Sequence, residues 1–197
     1  MGCGKSSVGR RLSELLCCRF VDLDEVAEEV AGKRVGEIFA VEGEVAFRDL
    51  ELLSLNNILS KESARQWAPL APSHFVGPSP YAGVRKCQFR TSVSSPEDET
   101  LVLALGGGAV MTPECAQIVK EQTCCIYLNA SIETLMEHLS AEAEGRPLLQ
   151  GEALLERITK LMELRSETYE KTAHMIIDID GMTIEEISQE IYICQTK

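Results

Sequence analysis

The chain opens on Gly2-Cys3-Gly4-Lys5-Ser6-Ser7, and no other feature restricts its possible folds as strongly. The run reads as the back half of the phosphate-binding motif G-x-x-x-x-G-K-[ST]. Such a loop joins a β-strand to a helix. Its glycines let backbone N–H groups turn toward a phosphate, and the helix presents its positive end to the same charge. Lys5 then reaches the β- and γ-phosphates of a nucleotide, and the Ser6 hydroxyl is placed to bind Mg²⁺. Taken alone, the pattern also fits a flexible glycine-rich terminus. The first glycine of the full motif and the strand that feeds it fall before Met1, so the first strand is expected to be missing from the sheet.

Beyond the loop, strand-like and helix-like stretches alternate. A helix is expected over 5–16, with Val8, Leu12, Leu15 and Leu16 on one stripe. Residues 19–23 read as a strand that delivers Asp22 and Asp24 at its C-terminal end, before a helix that stops near Gly32. A second helix runs over 44–59 through Phe47, Leu52, Leu55 and Leu59. Residues 101–105 form a buried strand ending in Gly106-Gly107-Gly108, and Thr112-Pro113 opens the next helix. Strands over 124–128 and 175–179, a long amphipathic helix over 153–172 and a Thr183-x-x-Glu186 capping box complete the pattern. Strand–helix alternation of this kind implies an α/β fold with a parallel sheet covered on both faces.

The 197 residues suit one domain rather than two. No apolar run approaches the roughly 20 residues that a membrane span requires. The first residues leave no room for a secretion signal, so a cytosolic protein is expected. Eight cysteines lack any C-x-x-C spacing and read as reduced thiols used as small apolar residues, not as a disulfide or zinc framework. A net charge of −12 argues against a nucleic-acid-binding surface, which would be basic. Any anionic ligand must therefore be met by a few specific cations within an acidic chain. One stretch stands apart: residues 64–96 hold no Asp or Glu, five of the seven prolines and the single Trp67. A loop so long is either functional, as a basic lid or docking segment, or a disordered insertion.

Four further places carry candidate chemistry. Asp22 and Asp24, two apart on a strand, point to one face at the sheet end where α/β proteins bind ligands. One carboxylate suits an Mg²⁺ shell and the other suits proton abstraction from a hydroxyl, although the pair also fits an N-cap cluster. The triple glycine permits close approach of a ligand to the backbone, or forms a simple tight turn. Arg146 lies in the polar stretch 140–152, suited to a lid that brings a cation to phosphates, or to an ordinary solvated loop. Arg48 and Arg165 sit on helices, where an arginine is most often a surface ion-pair partner.

In combination these landmarks resemble the shikimate kinase family. The segments GCGKSSVGR, FVDLDEVAEE, VGEIFAVEGEVAFRDLE, LALGGGAV, RPLL and LRSETYEKTA appear in the family's order, covering roughly residues 1–60 and 100–190. The resemblance implies a P-loop three-layer α/β/α domain spanning 1–197, with substrate-binding helices at about 24–60, an atypical insert at about 62–98 and a lid at about 140–152. It further implies transfer of the γ-phosphate of ATP to the 3-hydroxyl of shikimate, with Mg²⁺. Gly2, Cys3, Gly4, Lys5, Ser6, Ser7 and Arg146 would bind ATP, and Ser6 with Asp22 would hold the metal. Asp24 would take the hydroxyl proton, with Lys5 and Arg146 serving the transferred phosphoryl group. Arg48 and Arg165 would grip the substrate carboxylate, a task suited to the planar guanidinium. Gly107 would contact the substrate through its backbone. A monomer without nucleic-acid or membrane partners is expected. A non-catalytic P-loop chain, or a kinase with another acceptor, are the readings it competes with.

Overall fold

The structure is a computed structural model that describes residues 2–60, 100–142 and 152–195. The acid-free segment and Arg146 lie outside the described residues. In chain order the elements are α1 (Lys5–Leu16), β1 (Arg19–Asp22), α2 (Leu23–Ala31), α3 (Val35–Val41) and α4 (Gly43–Leu59), then β2 (Leu101–Ala104). There follow a single 3₁₀ turn (Ala109–Met111), α5 (Pro113–Gln122), β3 (Ile126–Asn129), α6 (Ile132–Glu142), α7 (Glu152–Thr172), β4 (Met175–Asp178) and α8 (Ile184–Gln195). The chain is mixed α/β with parallel strands, and mostly helical.

Local chemistry sets most of these boundaries. Gly32 takes a left-handed φ of 64° and ends α2, as a glycine without a Cβ readily does. Pro113 stands at the start of α5, where its missing N–H removes no helical bond. At α8 the Thr183 N–H donates to Glu186 Oε2 at 2.8 Å, while the Glu186 N–H donates to Thr183 Oγ1 at 3.3 Å, closing the expected capping box. The short helix α3 is not anticipated from periodicity. Its seven residues make only about two turns, too few to show a stripe, and Ile38 alone among them is buried.

The strands depart from the single expected sheet. Among the described residues they form two parallel pairs. β1 lies beside β2 with Val21 opposite Leu103, and β3 lies beside β4 with Leu128 opposite Ile177. A cavity of about 590 Å³ lies between the pairs, walled by residues of β2 and β3 and by Val8, Gly9 and Leu12 of α1. The inner edges of β2 and β3 thus face one apolar slot.

Each pair carries its own core. Val8, Leu12, Ile158, Ile177, Ile187 and Ile191 pack α1, α7 and α8 onto β4. Leu23, Leu55, Ala109, Cys115 and Val119 join α2, α4 and α5 near β2. Arg11 of α1 ties to Glu185 of α8 at 2.5 Å, an exposed pair of small energetic weight. Helix α1 lies close on β1 at Gly9, where an added Cβ would lie 2.6 Å from the Phe20 ring. In an open helix, alanine is favoured over glycine by about 1 kcal/mol. Here overpacking against a ring should reverse the sign, and we expect Gly9→Ala to destabilise by about 1–3 kcal/mol in urea unfolding.

Candidate active site

The phosphate loop enters α1 through two left-handed glycines, Gly2 at φ 75° and Gly4 at φ 71°. Gly4 stands at the N-cap and offers no side chain to the first turn, so its N–H groups stay available to an anion. A Cβ on Gly2 would lie 2.8 Å from Leu139 Cγ, and the Gly2 carbonyl is held by His138 Nδ1 at 2.7 Å. Helix α6 therefore backs the loop. Cys3 and Lys5 both line the cavity beside β2 and β3.

At the other side of the loop, Ser6 Oγ donates to Asp22 Oδ2 at 2.6 Å. Asp22 is buried at the end of β1, and its other oxygen accepts the Asp24 N–H at 3.1 Å. The expectation that both aspartates lie on one strand is corrected here. β1 ends at Asp22, which caps α2, and Asp24 belongs to the first helical turn. The Asp-x-Asp spacing serves the cap because the N2 amide of a helix needs an acceptor. It still leaves both carboxylates at the C-terminal end of β1.

Asp24 is half-buried, and burial pushes its carboxyl above the ordinary aspartate range; Lys5 and Arg48 pull the other way, while Asp22 and Glu28 add to the rise. A carboxylate raised in this way is a stronger base once ionised.

Arg48 and Glu51 form the firmest part of the site. Arg48 Nη1 donates to Glu51 Oε2 at 2.5 Å, and Nη2 donates to Glu44 Oε1 at 2.8 Å. Glu51 is only 1% exposed, and its Oε1 finds no donor among the described residues. Burial raises the Glu51 carboxyl pKa, against the pull of the Arg48 hydrogen bond. Sequence reasoning passes over Glu51, yet a signal exists. Phe47, Glu51 and Leu55 share one face of α4, and all three are buried. A charge in the apolar stripe marks a group held for a purpose other than packing.

The triple glycine closes against these side chains. A Cβ on Gly106 would fall 2.5 Å from Asp24 Oδ1 and 2.6 Å from Glu51 Oε1, and one on Gly108 would collide with the Arg48 guanidinium. From α7, Arg165 Nη1 donates to the Gly107 carbonyl at 3.2 Å, and the Tyr169 hydroxyl donates to the same oxygen. Asp24, Arg48, Gly107 and Arg165 are thus brought together around one glycine loop, with Lys5 acting on Asp24 from the phosphate loop. We expect Gly106→Ala to displace both carboxylates and lower kcat/KM by tenfold or more, about 1.4 kcal/mol of lost transition-state binding, while far-UV circular dichroism stays unchanged.

Comparison with known proteins bears on what this arrangement serves. The family model described as Shikimate kinase matches residues 1–64 and 85–195. The chain is 35% identical over 191 residues to the shikimate kinase of Thermus thermophilus, covering 97% of this chain and 83% of that one. It is 33% identical over 193 residues to the shikimate kinase of Dictyoglomus turgidum, covering 97% and 90%. Among solved structures, the shikimate kinase of Acinetobacter baumannii in complex with shikimate superposes with a TM-score of 0.72 and 28% identity, over 100% of this chain and 90% of that one. The chain therefore belongs to the shikimate kinase family and is an ATP-dependent kinase. Among the described residues, no helix is long and apolar enough to cross a membrane.

Proposed function

We propose that this member of the shikimate kinase family transfers the γ-phosphate of ATP to the 3-hydroxyl of shikimate, giving shikimate 3-phosphate and ADP, as a cytoplasmic monomer. The observation that carries the reading is the convergence of Asp24, Arg48 and Arg165 on the Gly106–Gly108 loop beside Lys5. Shikimate offers one carboxylate and three hydroxyls. The two guanidinium groups suit the carboxylate, and Asp24 suits the hydroxyl that attacks. The Asp24 carboxylate takes that hydroxyl's proton as its oxygen bonds to the γ-phosphorus. The bond from the γ-phosphorus to the bridging oxygen breaks, and its electron pair leaves with ADP. Lys5, on the phosphate loop, would meet the negative charge spread over the transferring group. Arg146 is given the same task by family resemblance.

Ser6 Oγ and Asp22 Oδ2, 2.6 Å apart, are hard oxygen donors of the kind that hold Mg²⁺ through one carboxylate and one hydroxyl. The ion would neutralise phosphate charge there. The same reading makes the two strand pairs parts of one parallel sheet in a three-layer α/β/α domain. A strand running into the phosphate loop would occupy the slot between β2 and β3, in the strand–loop–helix order of a P-loop. Such a strand would pair both open edges.

The test is ADP release with and without shikimate, by the chain as it stands and by a form carrying an apolar strand and a glycine ahead of Met1. Release that depends on shikimate in either form is expected. Release by the strand-bearing form that is indifferent to shikimate contradicts the reading. Lys5→Met should abolish turnover without unfolding the protein. Arg165→Ala removes a charged hydrogen bond worth about 1.5–3 kcal/mol, so the KM for shikimate should rise roughly 10- to 150-fold with the KM for ATP little changed. Because the Asp24 carboxyl is raised by burial, kcat/KM should fall on acidification at a pH above the ordinary aspartate range. An acid limb at the pH of an unperturbed carboxylate would show that another group is the base.

A further inference from the structure

We propose that Tyr169 is a positioning residue for the phosphoryl acceptor, acting through the Gly107 carbonyl; the inference rests on the reading of this site as the shikimate pocket. Arg165 and Tyr169 stand four residues apart on α7 and so share one face of that helix. Both side chains donate to one oxygen, the carbonyl of Gly107.

A run of three glycines has no side chains to hold it and samples more backbone conformations than any other sequence. Gly106 and Gly108 are buried against Asp24, Glu51 and Arg48, whereas Gly107 between them is partly open. Side-chain hydrogen bonds therefore set the orientation of the Gly107–Gly108 peptide. The peptide group is planar, so fixing its oxygen fixes its N–H as well.

Two donors on one oxygen also divide the work. An arginine has five N–H groups, and an acceptor carboxylate takes two of them in a bidentate grip. With the Tyr169 hydroxyl sharing the carbonyl, Arg165 keeps contact with the loop while its remaining N–H groups stay available. The Tyr169 ring is held independently: it packs against the Tyr127 ring of β3, tilted at 48° with centroids 5.3 Å apart, and against the core formed by α2, α4 and α5. Removing the hydroxyl alone should therefore leave the ring in place.

The experiment is Tyr169→Phe in the full chain, read in two ways. In steady-state kinetics the KM for shikimate should rise about 3- to 10-fold with the KM for ATP unchanged, while the melting temperature falls by no more than the roughly 2–4 °C that one lost internal hydrogen bond accounts for. An unchanged KM for shikimate, or a parallel rise in both KM values, overturns the proposal. Spectra of protein labelled with ¹⁵N-glycine provide a readout independent of turnover. The Gly107 and Gly108 amides should shift and exchange faster with solvent in Tyr169→Phe, and unchanged signals overturn the proposal even if shikimate proves not to be the acceptor. Absence of shikimate-dependent turnover in the unmodified protein would instead fall on the functional reading.

Discussion

The site depends on one buried ion pair. Glu51 is sealed inside α4, and Arg48 reaches it from one helical turn away while lying against Gly108. A charge so deeply placed is unfavourable alone, and breaking such a pair by removing one partner typically costs about 3–5 kcal/mol. The pair therefore fixes the Arg48 side chain within α4 where it lies against Gly108, and Gly106 sits close to both Glu51 and Asp24. Shape and charge act together here. The glycines are small because carboxylates and a guanidinium occupy the space a Cβ would need, and those charged groups face the loop because α2 and α4 pack through Leu23 and Leu55.

The phosphate side is organised by a different device. The Ser6–Asp22 hydrogen bond joins the first turn of α1 to the end of β1, and Asp22 also caps α2. One aspartate thus links three elements at the C-terminal end of β1. The apolar slot between β2 and β3 runs up to the same loop, with Cys3 and Lys5 on its wall. The arrangement of the phosphate loop and the pairing of the sheet are for that reason one structural question.

Much of this was legible in the residues. The boundaries of α1, α5 and α8 follow from an apolar stripe, a proline at the first helical position and a capping box, all local signals that tertiary contacts do not disturb. Periodicity suggests that Asp24 is on a strand. It does not show that Asp22 stops the strand by capping, because Asp-x-Asp fits both patterns. α3 is too short to display a period. The splitting of the strands into two pairs depends on which edges meet, and nothing in a strand's own sequence reports its neighbour. Glu51 and Tyr169 escape a reading of the sequence for another reason. Each matters through a partner distant in sequence, Gly106 for one and Gly107 for the other. The clues available, a charge in an apolar stripe and a tyrosine one turn from a candidate arginine, acquire meaning only once the loop is in place.

In the proposed reaction, Asp24 and the two arginines orient one hydroxyl of shikimate toward the γ-phosphate. Phosphorus NMR of the reaction mixture, with correlation of the product phosphorus to the ring protons, tests it most directly. The account predicts a single new phosphomonoester coupled to the proton on carbon 3, accumulating in step with ADP. Inorganic phosphate in place of the ester beside ADP, or an ester at another ring position, would contradict it.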